Sequence, residues 1–172
     1  MPNRNLSNTF SVSHSSPAGA LAKNTFLIIE DDACLREIVG EVSIEADLTP
    51  LLAADMGEAL ALLEGLPAES WPVGMILDIG LPDGSSENLP RLIEERFQKV
   101  IPTLVFTGLL SDSQRRRVSA RYYRGLIEKP CSYATLLSFL RCFSRPSRCV
   151  ESGLRFFTPP TEGLSGAQPL AV

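Results

Sequence analysis

A chain of 172 residues, 44% of them hydrophobic, has room for one ordinary domain with a proper core, plus tails. A net charge of −4 gives no electrostatic reason to expect nucleic acid as a partner. No apolar run approaches the roughly 20 residues that span a bilayer, so no membrane partner is expected either, and the default is a cytoplasmic protein.

The four cysteines, Cys34, Cys131, Cys142 and Cys149, form no CxxC pair, and the only histidine is His14, which argues against a zinc site and Cys/His catalysis. Residues 1–24 are rich in Ser and Asn without the continuous apolar segment of a signal peptide, and are expected to be a disordered tail. The apolar run of "FLIIEDD" then ends in three consecutive acids, Glu30, Asp31 and Asp32. Adjacent unpaired carboxylates repel and resist desolvation, so a cation or hydrogen-bond donors should be found there.

A helix is expected to begin after Asp32 and end near Ala46, with Leu35, Ile38, Val39 and Val42 forming a stripe that covers the sheet. Then "TPLLAA" reads as a second strand, and Asp55, with Glu58 three residues on, caps a second helix carrying Leu60, Leu62 and Leu63 until Pro67 stops it. After the third strand, "VGMILD", a third helix runs from about Ser86 to Phe97, with Leu89, Leu92, Ile93 and Phe97 inward. "IPTLVFT" is a fourth strand, Ser111 with Gln114 resembles the cap of a fourth helix, and "RGLIEK" is a fifth strand. Ser132 caps a fifth helix carrying Leu136, Leu137 and Leu140. The strands show little polar alternation, as expected of strands buried on both faces. From about residue 144 the composition turns to Pro, Gly and Ser, which predicts a flexible tail over 144–172 with no output domain.

Five strands alternating with five helices argue for a doubly wound α/β fold with an open parallel sheet covered on both faces. Ligands bind such sheets beyond the carboxyl ends of the strands. There the sequence sets Glu30 and Asp31 after the first strand and Asp78, Thr107 and Lys129 at the ends of the third, fourth and fifth. Each alone is unremarkable, as cap, turn residue or surface charge, but the five together point to one site.

These residues, in "LIIEDD", "MILDIGLPDGSS", "LVFTG" and "LIEKP", resemble the receiver domain of two-component response regulators, over about 25–143. The resemblance implies a flavodoxin-like (βα)5 sheet in the order 2-1-3-4-5. It implies that Asp78 is phosphorylated by a sensor histidine kinase or a histidine phosphotransfer protein. It further implies that Glu30, Asp31, Asp78 and the backbone carbonyl of Gly80 hold magnesium, and that Asp32 starts the helix. Thr107, Gly108, Leu126 and Pro130 fall at the switch positions, and the peptide bond before Pro130 is expected to be cis. Such a protein is not a conventional enzyme, since it catalyses only its own phosphorylation and dephosphorylation. A downstream protein, or a homodimer formed through the fourth helix, fifth strand and fifth helix, would read the change.

The chemistry fits these residue types. Magnesium takes hard oxygen ligands, commonly one or two carboxylates with phosphate oxygens. A carboxylate nucleophile forms an acyl phosphate, and the ammonium of Lys129 adds positive charge where the transferring group carries its negative charge. Lys129→Ala is accordingly expected to spare the fold while uncoupling phosphorylation from partner binding, and Asp31→Asn to raise stability without metal.

The pattern departs from the family in two places. Leu126 stands where an aromatic residue is usual; Tyr122 and Tyr123 lie close by and could substitute for it, with core packing the favoured reading of both. Ser86 replaces a usual glycine and is expected to cap the third helix. Arg115, Arg116 and Arg117 read as a solvated face or a docking surface. The alternative function is a receiver-fold binding or scaffold module that works without phosphorylation. A metal-dependent phosphatase is disfavoured because Gly80, not a second acid, lies two residues beyond Asp78.

Overall fold

The computed structural model describes residues 24–82, 84, 86–108 and 121–145. The expected tails over 1–23 and 146–172, the helix capped by Ser111 and the three arginines lie outside the described residues. Asn24, placed by expectation in the tail, accepts a hydrogen bond from Thr49 N–H at 3.0 Å. At the other end the last helix continues through Ser144, the first residue assigned to the second tail.

Five strands, β1 (Thr25–Ile29), β2 (Thr49–Ala53), β3 (Gly74–Leu77), β4 (Thr103–Thr107) and β5 (Tyr123–Glu128), form one sheet in the order β2-β1-β3-β4-β5. All neighbours pair in parallel. This is the doubly wound order that the resemblance implied. The helices are α1 (Ala33–Glu45), α2 (Met56–Glu64), α3 (Leu89–Phe97) and α4 (Tyr133–Ser144), with α4 the fifth helix of the sequence reading.

Alternation of side chains along each strand explains the missing polar alternation. Phe26 and Ile28 of β1 point into a core shared with Val39 and Val42 of α1 and Leu136, Phe139 and Leu140 of α4. Leu27 and Ile29 point the other way, toward Ala59 and Leu63 of α2 and Leu89 and Ile93 of α3. The two edge strands differ from expectation: β2 is only half-buried along most of its length, and β5 alternates buried and half-buried residues. An edge strand has a neighbour on one side only, so its cover is thinner. Gly74 at the start of β3 is required by packing, because a Cβ there would lie 2.2 Å from Phe143 Cδ1 of α4.

Capping follows the expected side chains at three helices. Asp32, Asp55 and Ser132 accept from Leu35, Glu58 and Thr135 N–H. Two inward assignments are corrected: Ile38 is 52% exposed and Leu92 37% exposed. In each helix the neighbouring residue, Val39 or Ile93, takes the core position, and Gly40 and Ser43 complete the buried face of α1 in place of larger apolar groups. Ser86 does not cap α3. A 3-10 turn over Ser86–Asn88 precedes that helix, Asn88 is its N-terminal boundary residue, and the Ser86 hydroxyl is engaged elsewhere.

Candidate functional site

The parallel order brings the carboxyl ends of β1, β3, β4 and β5 to one edge of the sheet. Glu30 follows β1 and is anchored by its N–H donating to Ala53 O at 3.1 Å. Asp78 follows β3, with its N–H donating to Ile29 O at 3.0 Å. Both acids are buried, at 3% and 8% exposure, as is Thr107, while Asp31 is exposed. Lys129 follows β5, and its N–H donates to Thr107 O at 2.9 Å, which locks the lysine loop to the end of β4.

The Lys129 ammonium lies 2.7 Å from Glu30 Oε2 and 2.6 Å from Asp78 Oδ2, and 4.9 Å from the centre of the Phe106 ring. It answers the repulsion problem of the sequence with a fixed cation between two buried carboxylates. Burial of the ammonium opposes its charge, but its hydrogen bonds to Asp78 and Glu30 outweigh that and push its pKa above the ordinary lysine value. For Glu30, burial dominates and raises the carboxyl pKa, with Lys129 pulling against it.

Other contacts shape the same edge. Gly80 N–H donates to Asp78 Oδ1 at 2.7 Å, so Gly80 sits against the acid it was expected to assist. The guanidinium of Arg36 on α1 donates to the carbonyls of Glu30 at 2.6 Å and Asp31 at 3.3 Å, fixing the backbone that carries both acids. Sequence reading missed this role, although an arginine at the end of the first turn of α1, shortly after a run of acids, was a usable signal. The Ser86 hydroxyl donates to the Asp78 carbonyl at 3.0 Å.

Of the expected switch residues, Leu126 is half-buried against a small cluster of Ile79, Val105 and Tyr123. The Lys129–Pro130 peptide bond is cis, as the resemblance implied. Gly108 is exposed, and a Cβ built there meets nothing within 4 Å among the described residues. Tyr123 is core, as expected, and its hydroxyl donates to Glu87 O at 2.8 Å. Tyr122 instead donates to Glu94 Oε2 at 2.6 Å.

Glu30, Asp31 and Asp78 each offer an oxygen within 4.8 Å of the others. Three hard carboxylate donors with open solvent on the Asp31 side fit the requirements of magnesium. Among the described residues no helix is long and apolar enough to cross a membrane.

Comparison with protein-family models and with curated proteins yields no match. Solved structures do match. The chemotaxis protein CheY4 of Vibrio cholerae is 25% identical with a TM-score of 0.60, covering 70% of this chain and 98% of that one. A CheY-like receiver domain protein from Methanospirillum hungatei is 21% identical with a TM-score of 0.60, covering 69% and 90%. A BeF3-activated DrrB receiver domain is 18% identical with a TM-score of 0.57, covering 70% and 96%. Strand order and these likenesses agree: the chain has the fold of a response regulator receiver domain.

Proposed function

We propose that this chain is a receiver of a two-component phosphorelay that accepts a phosphoryl group on Asp78 and thereby switches its contacts with other proteins. The observation that carries the reading is the convergence of Lys129 on Asp78 and Glu30, at 2.6 and 2.7 Å, within the three-carboxylate cluster at the ligand-binding edge of a receiver fold. The donor is the phosphohistidine of a sensor histidine kinase or a histidine phosphotransfer protein, and the setting is the cytoplasm.

In the transfer, an Asp78 carboxylate oxygen forms a bond to phosphorus as the phosphorus–nitrogen bond of the donor breaks. The leaving imidazole keeps the electron pair and takes up a proton from solvent. Glu30, Asp31 and Asp78, with the Gly80 carbonyl, would hold magnesium, which when bound supplies charge neutralisation for the phosphoryl oxygens. Lys129 is already within hydrogen-bond distance of Asp78 and can follow its charge onto the phosphoryl group. Gly80 N–H holds the other Asp78 oxygen and orients the carboxylate.

Thr107 stands buried at the end of β4, where its hydroxyl would bond a phosphoryl oxygen and draw Gly108 inward. Because the Thr107 carbonyl accepts from Lys129 N–H, that movement reaches the cis Pro130 loop and β5. Leu126 repacks against Val105 and Tyr123 as an aliphatic counterpart of an aromatic switch. A few kcal/mol of differential affinity suffices to shift such a two-state equilibrium. The face of β5 and α4 would then meet a downstream protein or a second copy. Water returns the aspartyl phosphate to aspartate, so each phosphoryl group is used once and the protein is not a conventional enzyme.

Incubation with acetyl phosphate and magnesium tests the reading by intact mass. One phosphoryl group is expected on the wild type and none on Asp78→Asn; equal labelling of both would refute it.

A further inference from the structure

Two hydroxyls that the transfer chemistry does not touch hold the chain beyond Asp78. Ser86, wholly buried, donates from Oγ to the Asp78 carbonyl at 3.0 Å, and its N–H donates to Gly84 O at 2.8 Å. One residue on, the Glu87 carbonyl accepts from the hydroxyl of Tyr123 at 2.8 Å, and Tyr123 is 1% exposed. Tyr123 opens β5, and Lys129 follows the end of the same strand with its ammonium 2.6 Å from Asp78 Oδ2. β5 therefore grips the phosphoacceptor segment at both ends. Asp78 itself is held at every polar group: N–H by Ile29 O, carbonyl by Ser86, Oδ1 by Gly80 and Oδ2 by Lys129.

We propose that Ser86 and Tyr123 are positioning residues for the Asp78 nucleophile. Ser86 fixes the peptide plane from which the carboxylate projects. Tyr123 clamps the turn that carries Ser86 to the strand that delivers Lys129, so that carboxylate and ammonium keep their relative placement. The inference rests on the phosphoacceptor reading above. Phosphoryl transfer leaves little for a protein to do except positioning and charge stabilisation, so a small rotation of the nucleophile is felt in rate. Both hydroxyls are shielded from water, where a missing donor strands the carbonyl it served.

The test compares wild type, Ser86→Ala, Tyr123→Phe, the double variant and Ser43→Ala, phosphorylated with acetyl phosphate at saturating magnesium. Ser43 is the control: it is wholly buried and donates to Val39 O at 2.8 Å within α1, a bond of the same kind away from the sheet edge. Ser86→Ala is expected to lower the maximal rate about fivefold, the rate equivalent of one neutral hydrogen bond, with the KM for donor unchanged. Tyr123→Phe should lower it about twofold, and the double variant should fall short of the product because the two bonds brace one turn. Ser43→Ala should lose comparable thermal stability and keep the wild-type rate. A wild-type rate in Ser86→Ala, or an equal fall in Ser43→Ala, overturns the inference. Should Ser86→Ala not fold, a wild-type rate in Tyr123→Phe, which keeps the ring, overturns it as well. A wild type that takes no phosphate overturns the phosphoacceptor reading itself, and this inference with it.

Discussion

Replacing Lys129 by Met removes the cation that lies between two buried carboxylates while retaining most of the side chain's volume. Glu30 and Asp78 side chains are 4% and 10% exposed, and the lysine side chain 19%. Breaking a buried pair by deleting one partner costs about 3–5 kcal/mol. Two carboxylates would be left facing each other, so the geometry adds a stability cost that the sequence-based expectation for Lys129→Ala did not include. Partial exposure of the lysine argues for the lower end, about 3 kcal/mol, which for a domain of this size is a fall of about 12 °C in Tm.

The pH dependence has a definite sign. Burial already raises the Glu30 pKa and Lys129 opposes that rise, so the variant's Glu30 should titrate higher still. A carboxyl whose folded pKa lies above its unfolded value adds stability below the unfolded value, and that stability is lost as pH rises through the folded pKa. The deficit should therefore be larger at neutral pH than at acidic pH, and magnesium at the same carboxylates should shrink it too. Urea unfolding followed by circular dichroism, at both pH values with and without magnesium, reads all three effects. A variant as stable as wild type at the higher pH without metal, or a deficit independent of pH, would refute the reasoning.

Asp31 is exposed, and Glu30 is already neutralised by Lys129, so Asp31→Asn should raise metal-free stability by no more than about 0.5 kcal/mol. The same change should weaken magnesium binding about tenfold or more in calorimetry, since one of three carboxylate ligands is lost; strong destabilisation would contradict the assignment. Burial raises the Tyr123 phenol well above its ordinary value of about 10. The folded state then keeps a proton that the unfolded state gives up, so stability is present below about pH 10 and lost as pH rises further. Tyr123→Phe should cost about 1 kcal/mol at neutral pH through its bond to Glu87 and show a shallower alkaline decline in the same unfolding assay. An unchanged alkaline limb would count against a buried, protonated phenol.

The fold was legible because each strand is a short apolar run and three helices carry a side-chain cap within three residues of their start. Site placement was legible for the same reason: a parallel sheet sends every strand end to one edge, so knowing where strands stop locates Glu30, Asp78, Thr107 and Lys129 together. Tertiary contacts were not legible. Ile38 and Leu92 fit a helical stripe as well as their neighbours do, and only the direction of α1 and α3 against the sheet turns them outward. The role of Ser86 depends on a carbonyl eight residues earlier, and that of Tyr123 on one thirty-six residues earlier, which local capping rules cannot reach. The acid cluster was read as needing a cation or hydrogen-bond donors; that the ammonium of Lys129, ninety-nine residues from Glu30, bonds that carboxylate directly emerges only from the folded chain.

The central claim is that Asp78, and neither Glu30 nor Asp31, receives the phosphoryl group. Borohydride reduces an aspartyl phosphate to homoserine, so peptide mass analysis after phosphorylation with acetyl phosphate and magnesium reads the position directly. Homoserine at position 78 alone is the expected result. Reduction at position 30 or 31, or at no residue of a folded, magnesium-loaded protein, would contradict the account.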